Sequence, residues 1–409
     1  MIKRTIKKQI LNSIKYKPVT LITGARQVGK STLCYEISKE LNFNYVSLDN
    51  IKERQLAISD PIMFLQLHQW PLIIDEVQYA PKLFDVIESI VNKQKLTNGN
   101  NQGMYVLAGS QSFELMKNVT ESLAGRVGII KMQTLSSREI FGVNDSKILF
   151  DINDINSRSK DYDLNINKLL NLITKGFYPE LYDSEIDKNF FYSNYVKTYI
   201  ERDVSEIINI KDKLKFQNFL ELLASLTGKE LVYDNIAKII GVKSDTIKAW
   251  VSVLVSSDII YLLEPYNEIS IAKRIVKRPK IYFCDTGLAC FLANLNEPEV
   301  LRRSYFLGSF VETYIINEFR KSLLNNGIYD SMYYYRDTNQ NEIDLIILEN
   351  GQLHLIECKA GVEFNKTDIK SFKNLNKTKY QIGESYIICN TETIYKIESN
   401  VFVIPITSI

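Results

Sequence analysis

The sequence predicts an α/β fold: a parallel sheet with helices on both faces, then a helical region, then a second α/β module. Three observations predict it. Apolar runs alternate with helical patterns from Val19 to about Leu135, which is the order that builds a parallel sheet covered on both faces. Helical periodicity dominates from Asn167 to about Leu231. After Tyr305, a helical pattern precedes short apolar runs separated by turn residues, which is typical of strands packed on a helix.

The composition is that of a globular chain with more than one domain. Its 409 residues are 45% apolar and 24% charged, enough for two to four domains at roughly 100 to 200 residues each. A net charge of +2 means that any affinity for nucleic acid has to come from a local patch. Five scattered cysteines and only two histidines argue against a zinc site or a histidine-based triad and favour a cytoplasmic location. No uncharged apolar stretch of about 18 residues is present, so we expect no membrane partner.

The first sheet is assigned from four apolar runs. They read VTLIT, NYVSLD, PLIIDE and MYVLAGS, and each has the length and composition of a buried strand. The polar segment from Gly142 to Asn167, rich in Asn and Asp, is predicted as a connector.

A glycine-containing loop joins the first predicted strand to a helix. The loop and the start of the helix form the predicted nucleotide-binding set: Gly24, Arg26, Gln27, Val28, Gly29, Lys30, Ser31 and Thr32. Glycines let such a loop turn its N–H groups toward phosphate oxygens at the positive end of the following helix. Lys30 is then placed to contact the β- and γ-phosphates, and Ser31 to reach Mg²⁺. The alternative is a glycine turn with a solvated lysine.

Polar residues at the ends of two later strands complete the predicted site. Asp75 is assigned to the Mg²⁺ shell and Glu76 to the attacking water, with two solvated acids as the alternative. Ser110, followed by Gln111, is assigned to sensing the γ-phosphate or holding that water, against simple packing in a turn. Arg126 is predicted to stabilise transition-state charge in a neighbouring subunit's site, with a surface salt bridge as the alternative.

Two short helical patterns joined by a turn at Gly241, followed by an apolar run and a basic ribbon, predict a winged helix. Its predicted DNA contacts are Lys243, Thr246, Lys248, Lys273, Arg274, Lys277 and Arg278. Basic residues at this density suit contact with phosphates and predict binding that salt weakens. The alternatives are a solvated face or a wing that docks a protein. Trp250 is predicted to lie in the core.

The last module carries acids and a lysine at strand spacing. Glu342 and Asp344 are two apart on one predicted strand, and Glu357 and Lys359 are two apart on the next, so each pair faces one side of the sheet. Glu312 is contributed by the preceding helix. Hard oxygen ligands of this kind suit Mg²⁺. The alternative is a solvated strand face with Glu–Lys pairs across the strands.

Taken together, these motifs resemble a known family. The segments TGARQVGKST, IIDEVQ, LAGSQSF, SLAGRV, YIERDV, KIYFCDTGL, LGSFVETYIINE, YYYRD, EIDLII and IECKAG occur in this order. They resemble prokaryotic AAA-type P-loop ATPases that carry a C-terminal domain of unknown function. The resemblance implies ATP with Mg²⁺, a winged helix, and a restriction-endonuclease-like module of the PD-(D/E)xK type. It further implies that Asp344 and Glu357 are metal ligands, that Lys359 orients water, and that Glu312 is an accessory ligand.

The prediction has four domains and one preferred function. The domains are a P-loop AAA-type ATPase domain at 1–141, a connector and helical lid at 142–212, a winged helix at 213–300 and a nuclease-like domain at 301–409. The function is an oligomeric Mg²⁺-dependent ATPase, a ring or partial ring of identical subunits, that remodels or processes DNA, including branched DNA. The alternative is a nucleotide-controlled signalling or defence switch whose C-terminal modules bind a protein partner, with the nuclease module inactive.

Overall fold

The computed structural model describes residues 2–99, 101–110, 119, 121–143, 146–148, 150–198, 212–267, 278–337, 339–362, 369–375 and 378–409. Contacts divide the chain into two units. The first comprises residues 1–135, 256–258 and 324–327, and the second comprises 136–255, 259–323 and 328–409. The finer division into four domains, with boundaries after 141, 212 and 300, stays a prediction.

The first unit is built on a five-stranded parallel sheet. Its strands are β1 (Val19–Thr23), β2 (Asn44–Ser47), β3 (Leu72–Asp75), β4 (Tyr105–Ala108) and β5 (Val127–Lys131). Their order in the sheet is β2-β3-β4-β1-β5, and each neighbouring pair is parallel. The predicted parallel α/β fold is confirmed. β5 is not among the predicted strands, because only Ile130 of its five residues is buried and its apolar pattern is weak.

Helices pack on both sides of this sheet. They are α1 (Lys7–Tyr16), α2 (Lys30–Leu41), α3 (Ile51–Ser59), α4 (Pro61–Leu67) and α5 (Leu83–Asn98). Leu21, Ile74 and Leu107, from three neighbouring strands, share one buried cluster with Phe84 and Ile87 of α5. Complete burial of each such side chain contributes about 1.5–3 kcal/mol, so the cluster fixes α5 against the sheet.

The second unit contains most of the later helices. They are α6 (Ser137–Phe141), α7 (Ile152–Arg158), α8 (Ile166–Lys175), α9 (Glu180–Asp183), α10 (Lys188–Tyr195), α11 (Lys213–Ser225), α12 (Tyr233–Ile240), α13 (Ser244–Ser256), α14 (Thr286–Leu292), α15 (Pro298–Arg303) and α16 (Leu307–Asn325). None of the helices in the described ranges is both long and apolar enough to cross a bilayer.

The segment predicted as a polar connector is in part an ordered element. It contains α7, whose Arg158 is buried and donates from Nε to the Ser408 carbonyl at 2.9 Å and from Nη1 to the Ser146 carbonyl at 3.0 Å. Phe150 stacks on His354 with ring centroids 4.1 Å apart. This part of the predicted connector therefore contains a helix, because a few buried side chains in a polar sequence are enough to pack it on the C-terminal module. The connector assignment itself stays a prediction.

Two helices and a pair of antiparallel strands follow in the predicted order. α12 ends at Gly241, which has a positive φ of 74°, and α13 follows. β7 (Ile260–Leu263) pairs antiparallel with β8 (Lys280–Phe283), and β6 (Lys229–Glu230) pairs on the other side of β8. Trp250 packs on Phe216 and Phe219 with ring centroids 5.2 Å from each, so its predicted core position is confirmed.

A buried aspartate joins the helices of this unit. Asp285 caps α14 by accepting from the Leu288 amide at 2.8 Å, and it also accepts from the Phe177 amide at 2.7 Å and the Tyr192 hydroxyl at 2.8 Å. Burial raises the pKa of this carboxyl, while the hydrogen bonds oppose the rise. Gly176 approaches so closely that a Cβ there would lie 1.9 Å from the Tyr192 hydroxyl oxygen.

The C-terminal module is a mixed sheet. Its strands are β9 (Met332–Arg336), β10 (Glu342–Glu349), β11 (Gln352–Cys358), β12 (Gln381–Ile382), β13 (Ser385–Cys389), β14 (Tyr395–Glu398) and β15 (Val401–Pro405). The order is β14-β15-β13-β11-β10-β9, with β12 paired to β11. β9, β10, β11 and β13 correspond to the short apolar runs expected after Tyr305, which read SMYYYRD, NEIDLIIL, QLHLIECKA and SYIICN. β10 and β11 are antiparallel neighbours, with Leu345 opposite Ile356.

Candidate functional site

The loop between β1 and α2 has the backbone that its glycines were expected to supply. Gly24 has φ +150°, and a Cβ there would lie 2.2 Å from the Met132 carbonyl oxygen. Gln27 and Gly29 have φ values of 62° and 93°. Gly29 caps α2 without a side-chain hydrogen bond, so the cap does not engage the first amide groups of the helix. Such amides are the groups that bind phosphate at a helix N-terminus.

Lys30 folds back onto this loop. Its Nζ donates to the carbonyl oxygens of Ala25 at 2.7 Å and Gly24 at 3.1 Å. Burial lowers the pKa of Lys30 to about 8, although Glu76 and Asp75 act in the opposite direction. The Lys30 ammonium is therefore held at the loop by two neutral carbonyl acceptors. A bound phosphate would offer it a charged acceptor, which forms a stronger hydrogen bond. Ser31 and Thr32 follow it at the exposed start of α2.

The two acids predicted as catalytic lie at the end of β3. Asp75 is buried, and it accepts from the Tyr45 hydroxyl at 2.9 Å and from the Glu76 amide at 3.0 Å. Glu76 has a left-handed φ of 55° and accepts from the Gln78 side-chain amide. Burial raises the pKa of Glu76, with Asp75 adding to the rise and the hydrogen bond from Gln78 opposing it. Asp75 is thus buried and held by two hydrogen bonds, whereas Glu76 is half-buried and follows the strand with a left-handed backbone.

The strand order brings a third element to the same edge. β4 lies between β1 and β3, and parallel strands end at the same side of a sheet, where ligands bind in open α/β folds. Ser110 therefore leaves the sheet between the loop that follows Thr23 and the acid pair. Gln111 lies outside the described residues.

Arg126 lies at the other end of the sheet. Its carbonyl accepts from the amide of Val19, the first residue of β1, so Arg126 is about 13 Å from the loop end of that strand at about 3.3 Å per residue. Its guanidinium donates to Asn92 Oδ1 at 2.7 Å and pairs with Glu88 at 3.2 Å. Arg126 is thus too far to serve its own subunit's loop, and its contacts are those of the salt-bridge alternative.

Arg4 is a functional candidate that the motifs did not reveal. Its guanidinium is buried and donates to the carbonyl oxygens of Val28 at 2.7 Å and Gln133 at 2.6 Å. Arg4 therefore holds the phosphate loop against the strand end beyond β5. Tyr45 is a second such residue, through its bond to Asp75. Neither stands at a motif position, so only the fold reveals them.

The predicted DNA contacts are only partly described. Lys243 and Lys248 are exposed, Thr246 is half-buried, and Lys248 pairs with Asp245 at 2.9 Å. Arg278 is exposed. Lys273, Arg274 and Lys277 lie outside the described residues. The described members therefore include two exposed lysines near the start of α13, Lys243 just before the helix and Lys248 on it. This arrangement suits contact with a polyanion and equally a solvated face.

A carboxylate cluster forms where α16 meets β8 and β10, and an unpredicted lysine lies inside it. Lys280 Nζ is 2.5 Å from Glu342, 3.0 Å from Glu312 and 3.7 Å from Asp344. Only 3% of the Lys280 side chain is exposed. Tyr282 donates to the same Glu312 oxygen at 2.5 Å. Burial disfavours the charge of Lys280, but the three carboxylates raise its pKa well above the ordinary lysine value.

The other two predicted members, Glu357 and Lys359, border this cluster. Asp344 accepts from the Cys358 amide at 2.9 Å, and Lys359 donates to Glu357 at 3.1 Å. Burial raises the pKa of Glu357, and also that of Glu312. The arrangement does not fit a divalent ion as it stands, because an ammonium already lies among the oxygens. In the part of the chain that the structure describes, no group of three or more His, Cys, Asp or Glu residues is arranged to hold a metal.

Comparisons with known proteins agree with the first unit and leave the later domains open. Residues 16–141 match a family model described as an AAA domain, residues 166–299 a domain of unknown function (DUF8612), and residues 307–409 another (DUF4143). Uncharacterized proteins of Mycobacterium bovis and Mycobacterium tuberculosis are each 26% identical over 344 residues, which cover 84% of this chain and 70% of theirs.

Solved structures add little to these matches. A Walker-type ATPase of Pyrococcus abyssi is 14% identical, with 71% of this chain and 96% of that chain covered and a TM-score of 0.40. A RuvB variant of Thermotoga maritima is 14% identical, with 64% and 89% covered and a TM-score of 0.31. Both TM-scores are too low to establish a common fold. The family matches support an AAA-type P-loop ATPase domain followed by a C-terminal DUF4143 domain.

Proposed function

We propose that this chain is a Mg²⁺-dependent ATPase that works as a homo-oligomer and acts on DNA. The observation that carries the ATPase proposal is the shared sheet edge, where Lys30, the acid pair of Asp75 and Glu76, and Ser110 leave three adjacent strands. Each group has a distinct chemical environment there. Lys30 is a buried lysine whose pKa is lowered to about 8, Asp75 is buried and hydrogen bonded, and Glu76 is half-buried.

In this proposal the loop amides and Lys30 bind the phosphates of ATP. Lys30 Nζ exchanges its two carbonyl acceptors for phosphate oxygens. Ser31 and Asp75 would hold Mg²⁺, which neutralises charge on the phosphates. Tyr45 keeps the Asp75 carboxylate oriented. Glu76, whose pKa burial raises, accepts a proton from the attacking water, as suits a general base.

The test separates binding from turnover. We expect Glu76→Gln to keep ATP affinity near that of the wild type but to lose turnover by about 100-fold or more, because general bases contribute about 10²–10⁴. Lys30→Ala should lose binding itself. ATP affinity is measured by calorimetry and turnover by phosphate release. Full turnover in Lys30→Ala would end the ATPase proposal.

The oligomer proposal assigns Arg126 to a neighbouring subunit's site, because the strand separates it from its own loop. Arg126→Ala and Glu76→Gln should each be inactive alone. A mixture should regain activity, since a Glu76→Gln subunit supplies the arginine that the Arg126→Ala subunit's site needs. If Arg126 only pairs with Glu88, the mixture should show no gain over its parts.

The DNA proposal rests on the helix–turn–helix order of α12 and α13, the antiparallel strands after them, and two exposed lysines, Lys243 just before α13 and Lys248 on it. Lys243→Ala with Lys248→Ala should weaken binding to duplex and branched DNA and reduce its dependence on salt by about one unit of slope per lost phosphate contact. The matched control is Lys229→Ala, an exposed lysine on β6. Equal effects at both places would indicate general charge rather than a DNA-binding face.

Lys280 favours a second candidate for the C-terminal module. A cluster filled by an ammonium suits a binding module better than a nuclease, and this agrees with a nucleotide-controlled switch that recruits a protein. Purified protein that forms larger assemblies with ATP but shifts no DNA at low salt would favour the switch. Cleavage of DNA in Mg²⁺ that Asp344→Ala abolishes would instead restore the nuclease function.

A further inference from the structure

Lys280 and Tyr282 enter the carboxylate cluster from one strand. They are two residues apart on β8, so their side chains lie on the same face. Both reach the same Glu312 oxygen, at 3.0 Å and 2.5 Å. β8 is paired to β7 and β6, whereas the carboxylates come from α16 and β10. The contact therefore fastens the small antiparallel sheet to the C-terminal module.

The cluster is a place where charge has to be balanced internally. Lys280 is almost completely buried, and only 13% of Glu312 and 14% of Asp344 side-chain surface is exposed. An unpaired charge at such depth is strongly unfavourable, so buried ionised groups occur in pairs or with metals. Arg336 balances part of the cluster from its rim, 3.6 Å from Glu342 and 3.1 Å from Glu230.

We propose that Lys280 is the built-in cation of this cluster, and that its ammonium takes the place that a divalent metal takes in nucleases of similar sequence pattern. Mg²⁺ binds oxygen at 2.0–2.1 Å and demands near-octahedral geometry. An ammonium between the Glu312, Glu342 and Asp344 oxygens blocks that geometry and repels a second cation. The wild-type module is therefore a metal-free joint rather than a metal centre.

Of the further oxygens of Asp344 and Glu357, two have a hydrogen-bond partner and one does not. Asp344 presents its second oxygen to the Cys358 amide at 2.9 Å. Glu357 gives one oxygen to Lys359 at 3.1 Å, while its other oxygen, Oε2, is buried without a hydrogen-bond partner. The acids that the sequence pattern assigns to a metal are thus present together, but two lysines take the role of the counter-charge.

The inference predicts a gain of function in a single variant. Lys280→Met keeps the approximate length of the side chain but removes its charge, so the carboxylate oxygens of Glu312, Glu342 and Asp344 become available to bind a metal ion. With nucleotide-free protein and Mn²⁺ as the probe, electron paramagnetic resonance should count one more bound ion per chain in Lys280→Met than in the wild type. The extra ion should be lost in Lys280→Met with Asp344→Asn. Lys280→Arg, which keeps the charge, should gain none.

Two outcomes would overturn the proposal. One is a Mn²⁺ ion in the wild type that Asp344→Asn removes. The other is a folded Lys280→Met, checked by circular dichroism and thermal melting, that gains no ion. Should Lys280→Met fail to fold, the double variant Lys280→Met with Glu342→Gln carries less uncompensated negative charge and is expected to gain the ion as well. The count of Mn²⁺ in the wild type with and without Asp344→Asn tests the proposal in either case. The readout is independent of ATP turnover, so it fails or succeeds separately from the ATPase proposal.

Discussion

Replacing Arg4 by alanine should make the phosphate loop less rigidly attached to the rest of the first unit, although Arg4 belongs to no nucleotide-binding motif. The variant loses two hydrogen bonds from a charged donor, to Val28 at 2.7 Å and to Gln133 at 2.6 Å. Bonds to charged groups contribute about 1.5–3 kcal/mol each, so the pair is worth about 3–6 kcal/mol. Water reaching the vacated carbonyls recovers part of this, and we expect a loss of about 2–4 kcal/mol in the free energy of unfolding.

Chemical denaturation measures that loss, and hydrogen exchange of peptides covering the loop locates it. Lys3→Ala is the matched control, because Lys3 is an exposed cation next in the chain. Arg4→Lys should recover about half of the loss, since an ammonium lacks the two-pronged donor geometry of the guanidinium. An Arg4→Ala protein whose stability and loop exchange equal those of Lys3→Ala would refute the assignment of Arg4 as the brace of the loop.

Three further predictions follow from the geometry. ATP affinity should be constant below pH 8 and fall about tenfold per pH unit above it. The reason is that burial lowers the pKa of Lys30 to about 8 and phosphate binds the charged form of the lysine. Dissociation constants that do not change from pH 7 to 10 would contradict this prediction. Tyr45→Phe removes the 2.9 Å bond to the carboxylate that ends β3 and should lower turnover about tenfold at limiting Mg²⁺; unchanged steady-state rates across a Mg²⁺ titration would argue against it. Gly176→Ala should destabilise the protein by about 2–4 kcal/mol, because its Cβ meets the Tyr192 hydroxyl at 1.9 Å. Gly308→Ala, with no atom within 4 Å of its Cβ, is the control, and similar melting temperatures for both would count against the predicted clash.

Local motifs made the first unit largely predictable. The loop around Lys30 and the acids after β3 are each contiguous in sequence, and their chemistry depends on spacing that the sequence prints directly. The order of strands is not local, and neither are contacts such as that of Arg4 with Gln133, which joins residues far apart in the chain. Arginine and tyrosine have many structural roles, so nothing in the sequence marks Arg4 or Tyr45 before the sheet brings their partners near.

The C-terminal carboxylate cluster was also only partly predictable from the sequence. Glu312, Asp344 and Glu357 were predicted to meet, since strand alternation and the preceding helix place them on one face. Lys280 was not, because it ends the basic run AKRIVKRPK, whose cations the sequence pattern assigns to contact with phosphates. Its partners lie 32 or more residues later in the chain, and only tertiary structure turns that cation inward.

The insertion of β4 between β1 and β3 has a consequence for the proposed oligomer. β4 ends at Ala108 on the side of the sheet where the phosphate loop follows β1, whereas Arg126, just before β5, lies at the opposite side. In the proposed oligomer, each subunit would therefore meet its own nucleotide at one edge of the sheet and a neighbour's nucleotide at the other, so that the length of the parallel strands sets the distance between the two contacts.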